Sequence, residues 1–244
     1  GVTFSGAYSC TLAGSTVASG TWTRVGAGAA TLTPSAGSPA ANQIPAGASC
    51  SVTETQPTGG LPNSSWQWSA PTVGAAVTIV NGQTRSVSVT NGVQRVYGNF
   101  RVTKALATGS TADAANTYSG QWSCTLGSET RSGTWGPIVA GATWNSAPGD
   151  QIPLGATCSV LNETRPAWPV AADHSYQWDG GPQISAAVTA AQSRLPLVTV
   201  TNTTKRVLGS VSWNKVDATT GDLLSGSAWT IVGPGHPSPG TEIT

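Results

Sequence analysis

The chain has 244 residues, only 9% of them charged, and a formal net charge of +1, so no basic surface argues for nucleic acid. No stretch approaches eighteen consecutive apolar residues, which excludes a membrane-spanning helix. Thirty glycines and sixteen prolines disfavour long helices and predict an all-β chain of short strands between Gly, Pro and Asn turns.

The start, Gly1-Val2-Thr3-Phe4, carries no basic-then-apolar signal segment and reads as the interior of something longer, an excerpt or a processed fragment. Tyr8-Ser9-Cys10-Thr11-Leu12 returns as Trp122-Ser123-Cys124-Thr125-Leu126, and Ser19-Gly20-Thr21-Trp22 as Ser132-Gly133-Thr134-Trp135. The run Gln43 to Val52 returns as Gln151 to Val160, Trp66-Gln67-Trp68 as Tyr176-Gln177-Trp178, and Val89-Thr90-Asn91 as Val200-Thr201-Asn202. Matches spaced by roughly 110 residues mean two copies of one unit. The expected boundaries are 1–96 for a first repeat lacking its first strand, 97–207 for a second, and 208–244 for the start of a third. The connecting segments at 94–98 and 205–209 are short, which suits a semi-rigid string of modules. The stretch Ala105 to Ala115 contains Gly109 and no 3.6-residue apolar period, so it reads as a loop.

Each full repeat holds two cysteines at matching places. The expected pairs are Cys10–Cys50 and Cys124–Cys158, one disulfide per module in an oxidising compartment. A four-thiolate zinc site needs closely spaced cysteine pairs, which this sequence lacks.

Ten tryptophans raise a carbohydrate-binding alternative, but the repeat points elsewhere. Trp22 answers Trp135 and Trp68 answers Trp178, while Trp66 and Trp122 answer Tyr176 and Tyr8. Trp213 stands at the place of Val102, and Trp144 and Trp168 replace Leu32 and Leu61. An indole that trades with leucine or valine belongs to a core more often than to a sugar platform. The loop from Trp168 to Tyr176 is where an aromatic sugar site would lie.

The polar residues are the odd ones. Read with period two, Phe100, Val102, Lys104 and Leu106 share one strand face, as do Val211, Trp213 and Lys215. Val198, Val200 and Asn202 share another, as do Val87, Val89 and Asn91. Between lysine and asparagine lies a Glu-Thr-x-Pro segment, Glu163-Thr164-Arg165-Pro166, matched by Glu54-Thr55-Gln56-Pro57. Burial favours the neutral, nucleophilic amine and the protonated carboxyl. The carboxyl could then polarise the amide while the amine displaces ammonia, leaving an isopeptide bond made once. The bland alternative has Lys104 snorkelling from an edge strand, Asn202 capping a turn and Glu163 in solvent.

These residues resemble the Cna-B-type domains of Gram-positive pilins and adhesins: a lysine on the first strand, a Glu-Thr segment midway and a final Val-x-Val-x-Asn strand. Trp213 to Gly221, followed by Leu224-Ser225-Gly226-Ser227-Ala228-Trp229, resembles the opening of a SpaA-type pilin domain, and the paired cysteines resemble those of actinobacterial cell-surface repeats. The resemblance implies tandem immunoglobulin-like or prealbumin-like β-sandwich modules, with an isopeptide bond between Lys104 and Asn202 assisted by Glu163. It leaves partial sets elsewhere: Glu54 and Asn91 without a lysine, and Lys215 without partners. It also implies an extracellular stalk or adhesin on a Gram-positive surface, anchored to the cell wall through regions outside this chain and partnered by neighbouring modules. No cofactor and no turnover enzyme chemistry is expected. Neither His174 nor His236 has a repeat counterpart, no nucleophile elbow or phosphate loop occurs, and Leu195-Pro196-Leu197-Val198-Thr199 only superficially matches a sortase signal. One departure matters. Cys158 to Glu163 is one residue longer than Cys50 to Glu54, so either a bulge absorbs Asn162 or Glu163 does not face Lys104.

Overall fold

The computed structural model describes all residues except Trp168, 227–228, 234–235 and Thr244, with side chains described up to residue 226. Turn-forming Gly, Pro and Asn cut the chain into strands joined by short loops, with two 3₁₀ turns, Ala41–Gln43 and Pro148–Asp150, as the helical content among the described residues. Ala105 to Ala115 leaves its strand at Leu106 and continues as loop.

The first sandwich contains β1 (Thr3–Leu12), β2 (Ser15–Val25), β3 (Thr31–Pro34), β4 (Ser49–Thr55), β5 (Trp66–Trp68), β6 (Thr72–Val73), β7 (Val77–Thr78), β8 (Val89–Thr90) and β9 (Val93–Arg95). Five of these form a sheet in the order β3-β2-β1-β4-β7, while β6 pairs with β8 and β5 with β9. The second sandwich contains β10 (Arg101–Leu106), β11 (Thr117–Leu126), β12 (Glu129–Val139), β13 (Thr143–Asn145), β14 (Thr157–Val160), β15 (Tyr176–Trp178), β16 (Gln183–Ile184), β17 (Val188–Thr189), β18 (Leu197–Asn202) and β19 (Thr204–Arg206). Its two four-stranded sheets run β12-β11-β14-β17 and β13-β10-β18-β16. Beyond them, β20 (Trp229–Gly233) and β21 (His236–Ile243) form a hairpin.

Period-two alternation builds the second core. Phe100, Val102, Val198 and Val200 project from one sheet, and Tyr118, Trp122, Cys124, Trp135, Cys158 and Val160 from the other, all buried in one cluster. Phe100 meets Trp122 and Trp144 edge-on, with ring centroids 5.6 and 5.8 Å apart, a favoured aromatic geometry. The first core is smaller: Tyr8, Cys10, Ala18, Ala48 and Cys50, with partly buried neighbours including Val52 and Val77.

Both disulfides are present, Cys10–Cys50 and Cys124–Cys158, each joining adjacent antiparallel strands of its own sandwich. The tryptophans divide by depth. Trp22, Trp122 and Trp135 are buried, and Trp66, Trp68, Trp144 and Trp178 are half-buried. Trp168 lies outside the described residues. The indoles of Trp22 and Trp135 donate to equivalent carbonyls, Thr53 O at 2.9 Å and Asn162 O at 3.3 Å.

The expected strand at 209–215 does not form. That segment has no assigned secondary structure, Lys215 is exposed, and Trp213 is 37% exposed where Val102 is fully buried. A strand needs a ladder and an apolar face to bury, and here one isolated bridge, Val216 to Leu223, stands beside the turn. Ser227-Ala228 of the proposed SpaA-type opening falls outside the described residues.

The two sandwiches meet through the segment at 94–98. Val96 is buried, Gly98 N donates to Ile152 O, and Leu154 N donates back to Val96 O. Arg95 pairs with Glu129 across the junction and covers the Trp66 ring at 4.9 Å.

Candidate functional site

The first and last strands of the second sandwich lie side by side and parallel, with Val102 beside Val198, Lys104 beside Val200 and Leu106 beside Asn202. The alternation that buries Phe100 and Val102 therefore carries the Lys104 side chain inward as well. Lys104 is 1% exposed and Asn202 fully buried.

Their common neighbour is Glu163, whose side chain is 0% exposed. Lys104 Nζ stands 3.1 Å from Glu163 Oε1, off the line of a hydrogen bond, since that oxygen has no aligned donor. Nζ gives its aligned bonds to Val200 O and Ala105 O, both at 3.1 Å. Asn202 Nδ2 donates to Glu163 Oε2 at 2.8 Å, leaving Asn202 Oδ1 buried and unpartnered. Amine and carboxamide thus stand on the two oxygens of one carboxylate.

The extra residue before Glu163 is absorbed by the strand. Pairing runs from Trp122 opposite Val160 to Ser119 opposite Thr164, so the β14 side spends one more residue than the β11 side. The equivalent stretch of the first sandwich, Tyr8 opposite Val52 to Ser5 opposite Thr55, has no such excess. The irregularity is a bulge. Asn162 holds it by accepting from Gln121 N through Oδ1 at 2.9 Å and donating from Nδ2 to Gln121 Oε1 at 3.0 Å.

Burial pushes the Lys104 amine below its ordinary range, and the nearby Arg165 charge adds to this. Glu163 pulls the other way through its charge and contact, without overcoming desolvation. The ammonium also sits 4.7 Å from the Tyr118 ring centroid. The Tyr118 phenol is pushed up, first by burial and then by the Glu163 charge. Tyr118 and Arg165 were not singled out from sequence. The repeat held a signal for Tyr118, because Phe4 is its counterpart and both rings meet the equivalent indole edge-on, Trp68 at 5.7 Å and Trp178 at 6.1 Å.

The first sandwich repeats half of this site. Asn91 Nδ2 donates to Glu54 Oε1 at 2.9 Å, while Glu54 Oε2 and Asn91 Oδ1 are buried without partners. No described lysine approaches them. Lys215, the lysine of the third unit, lies exposed and outside both sites.

Residues 1–94 and 100–205 each match the family described as "Domain of unknown function (DUF5979)". The chain belongs to that family. Its two DUF5979 segments coincide with the two sandwiches built above. No curated protein matches the chain. Among solved structures, the major pilin protein (T-13) of Streptococcus pyogenes serotype GAS131465 is similar at 10% identity and a TM-score of 0.31, covering 83% of this chain and 89% of that one. A score that low is no evidence of a shared fold.

Proposed function

We propose that this DUF5979 chain is a segment of an extracellular structural stalk, stiffened by one disulfide per sandwich and by an isopeptide bond between Lys104 and Asn202. The observation that carries the bond is the placement of a buried amine and a buried carboxamide on one buried carboxylate. The proposed modules span 1–96, 97–207 and 208–244. Surface location rests on the two disulfides, which persist in oxidising surroundings. Attachment to a cell wall and association with neighbouring modules belong to the same proposal.

The chemistry follows from the site. The amine, depressed by burial, gives a proton to Glu163 and attacks Asn202 Cγ. The Cγ–Nδ2 bond breaks as Glu163 gives that proton to the departing nitrogen and takes the second proton of the attacking nitrogen. Ammonia leaves, the new amide keeps one N–H and Glu163 ends protonated. Proximity removes the entropy of encounter, the largest single advantage of an intramolecular reaction. The product replaces a buried ammonium and a half-satisfied carboxamide with one neutral amide, relieving the desolvation cost of the starting pair. Nothing turns over, so this is maturation of a structural element and not enzyme catalysis.

Intact-mass spectrometry tests the bond. The expected mass is one ammonia short beyond the hydrogens lost to disulfides, with Lys104 and Asn202 recovered in one cross-linked peptide. Lys104→Ala abolishes the deficit, and Glu163→Gln slows or abolishes it. A full mass in the unaltered, folded chain overturns the bond. The sugar-binding alternative needs indoles presented together on an open face, whereas the repeat-matched indoles Trp22 and Trp135 lie in sandwich cores.

A further inference from the structure

We infer that the joint between the sandwiches is a hinge-free coupling, and that the end face of the first sandwich selects its neighbour. The neighbour it fits is a sandwich presenting an Ile-Pro-x-Gly turn together with an acidic side chain at the place of Glu129.

The backbone across the joint is bonded at every step. Gln94 pairs with Gln67 and Arg95 with Trp66 in the first sandwich. Val96 N then donates to Ser65 O at 2.8 Å, while Val96 O accepts from Leu154 N at 3.1 Å. One residue therefore gives its N–H to the first sandwich and its C=O to the second. Tyr97 lies opposite Pro153, Gly98 N donates to Ile152 O at 2.8 Å, and Asn99 exchanges two bonds with Ala191. A hinge needs residues that can absorb a change in φ and ψ, and none from Gln94 to Asn99 can do so without breaking a bond. Gly98 would be the natural hinge by residue type, but it is a packing glycine. A Cβ there would lie 2.9 Å from the Ala190 carbonyl carbon.

Side chains make the contact selective. Arg95 stacks on Trp66 at 4.9 Å and reaches across to Glu129, which Arg131 also holds at 3.2 Å. Ser64 Oγ donates to Leu154 O at 3.1 Å, and a Cβ on Gly155 would fall 2.5 Å from that hydroxyl. The first sandwich has the same turn, Ile44-Pro45-Ala46-Gly47 for Ile152-Pro153-Leu154-Gly155. At the place of Glu129, opposite the repeated leucine, it has Ser15. Such a turn can supply the backbone bonds but offers Arg95 no acid. The gripping half is built into the repeat. Arg206 stacks on Tyr176 at 4.8 Å, Val207 N donates to Ser175 O at 2.7 Å, and Asp173 accepts from Ser175 N as Asn63 does from Ser65 N. This copy keeps its geometry although Val207 is 38% exposed where Val96 is 6%, so the grip is preorganised and not moulded by burial. An arginine held on a ring and only 18% exposed tells an acid from a serine better than a free surface charge does.

Amide hydrogen exchange in the full chain reads the joint directly, because the Gly98 and Leu154 N–H groups make bonds that cross it. Both amides are expected to be protected, and residual dipolar couplings from the two sandwiches should fit one alignment tensor. Glu129→Ser, which installs the first repeat's residue, should speed exchange of both amides about fivefold, the scale of a partly shielded ion pair. Arg95→Glu should speed it further, and adding Glu129→Arg should reverse most of that loss. The core amides of Val198 and Val200 should keep their rates throughout. Gly98 and Leu154 exchanging as open loop amides, or sandwiches that need separate tensors, would overturn the hinge-free joint. Rates unmoved by Glu129→Ser, an Arg95→Glu loss that Glu129→Arg does not reverse, or an equal rise at Val198 and Val200 would overturn the selectivity. None of these readouts depends on the Lys104–Asn202 bond, so they stand apart from it.

Discussion

At the scale of single residues, the chain holds a side chain whose cost has to be explained. Desolvating an ammonium costs several kcal/mol, and one carboxylate with imperfect alignment repays only part of it. Asn202 Oδ1, buried without a hydrogen-bond partner, adds to the debt. A pH dependence follows in a chain that cannot form the bond. With Asn202→Ala, the folded Lys104 titrates below the 10.5 of an exposed lysine. Between that depressed value and 10.5 the unfolded chain binds a proton that the folded chain does not, so stability rises with pH through this window. It is fully present above 10.5 and is lost as pH falls to the folded value. Tyr118 acts oppositely above its ordinary 10.0, because its phenol is pushed up on folding, so the measurement belongs in a Tyr118→Phe background, with Phe at the equivalent place in the first repeat. Denaturant melts across this range should show a rising slope that Lys104→Met removes. An unchanged slope in Lys104→Met means that the lysine is not desolvated.

Strands and their turns made the repeat readable, and they also mark where reading stopped. Gly6 and Gly120 illustrate a shared requirement that sequence alone did not reveal. A Cβ at Gly120 would run into the Asn162 carbonyl and the Trp135 indole, and one at Gly6 into the Thr53 carbonyl and the Trp22 indole. Gly120→Ala and Gly6→Ala are each expected to cost about 2–3 kcal/mol, as overpacking against backbone does. Gly149→Ala, where a Cβ meets nothing within 4 Å, serves as the near-neutral control in the same denaturant series. The disulfides and the core tryptophans were legible because each recurs at the matching place of the repeat, and the Lys104 and Asn202 strand faces because alternation with apolar neighbours is local. The facing of Glu163 was not, since a bulge is set by tertiary hydrogen bonds such as those of Asn162 with Gln121. The strand at 209–215 was misread for a related reason. Val211, Trp213 and Lys215 alternate correctly, but alternation gives a strand its faces and cannot supply a sheet to pair with.

Across the whole molecule, the parallel pairing of β10 with β18 decides how force would travel. Tension entering the second sandwich at Gly98 runs along β10 to Lys104. With the proposed bond it crosses to Asn202 and leaves along β19, so the strands between them carry no load. The first sandwich offers no such crossing, since its Glu54 and Asn91 have no lysine among the described residues. Its disulfide fixes only the segment from Cys10 to Cys50. Single-molecule stretching of the full chain should therefore show the first sandwich extending and the second remaining folded to higher force. Lys104→Ala should release the second sandwich except for the loop closed by Cys124–Cys158, which spans 34 positions. At ~3.5 Å per extended residue, that adds about 200 Å of contour length. Reduction of the disulfide in the same variant should lengthen the step by roughly a further 100 Å. A second sandwich that already extends to the full Lys104→Ala length in the unaltered chain would show that no bond carries the load, leaving stiffness to the disulfides and the packed junction at Val96.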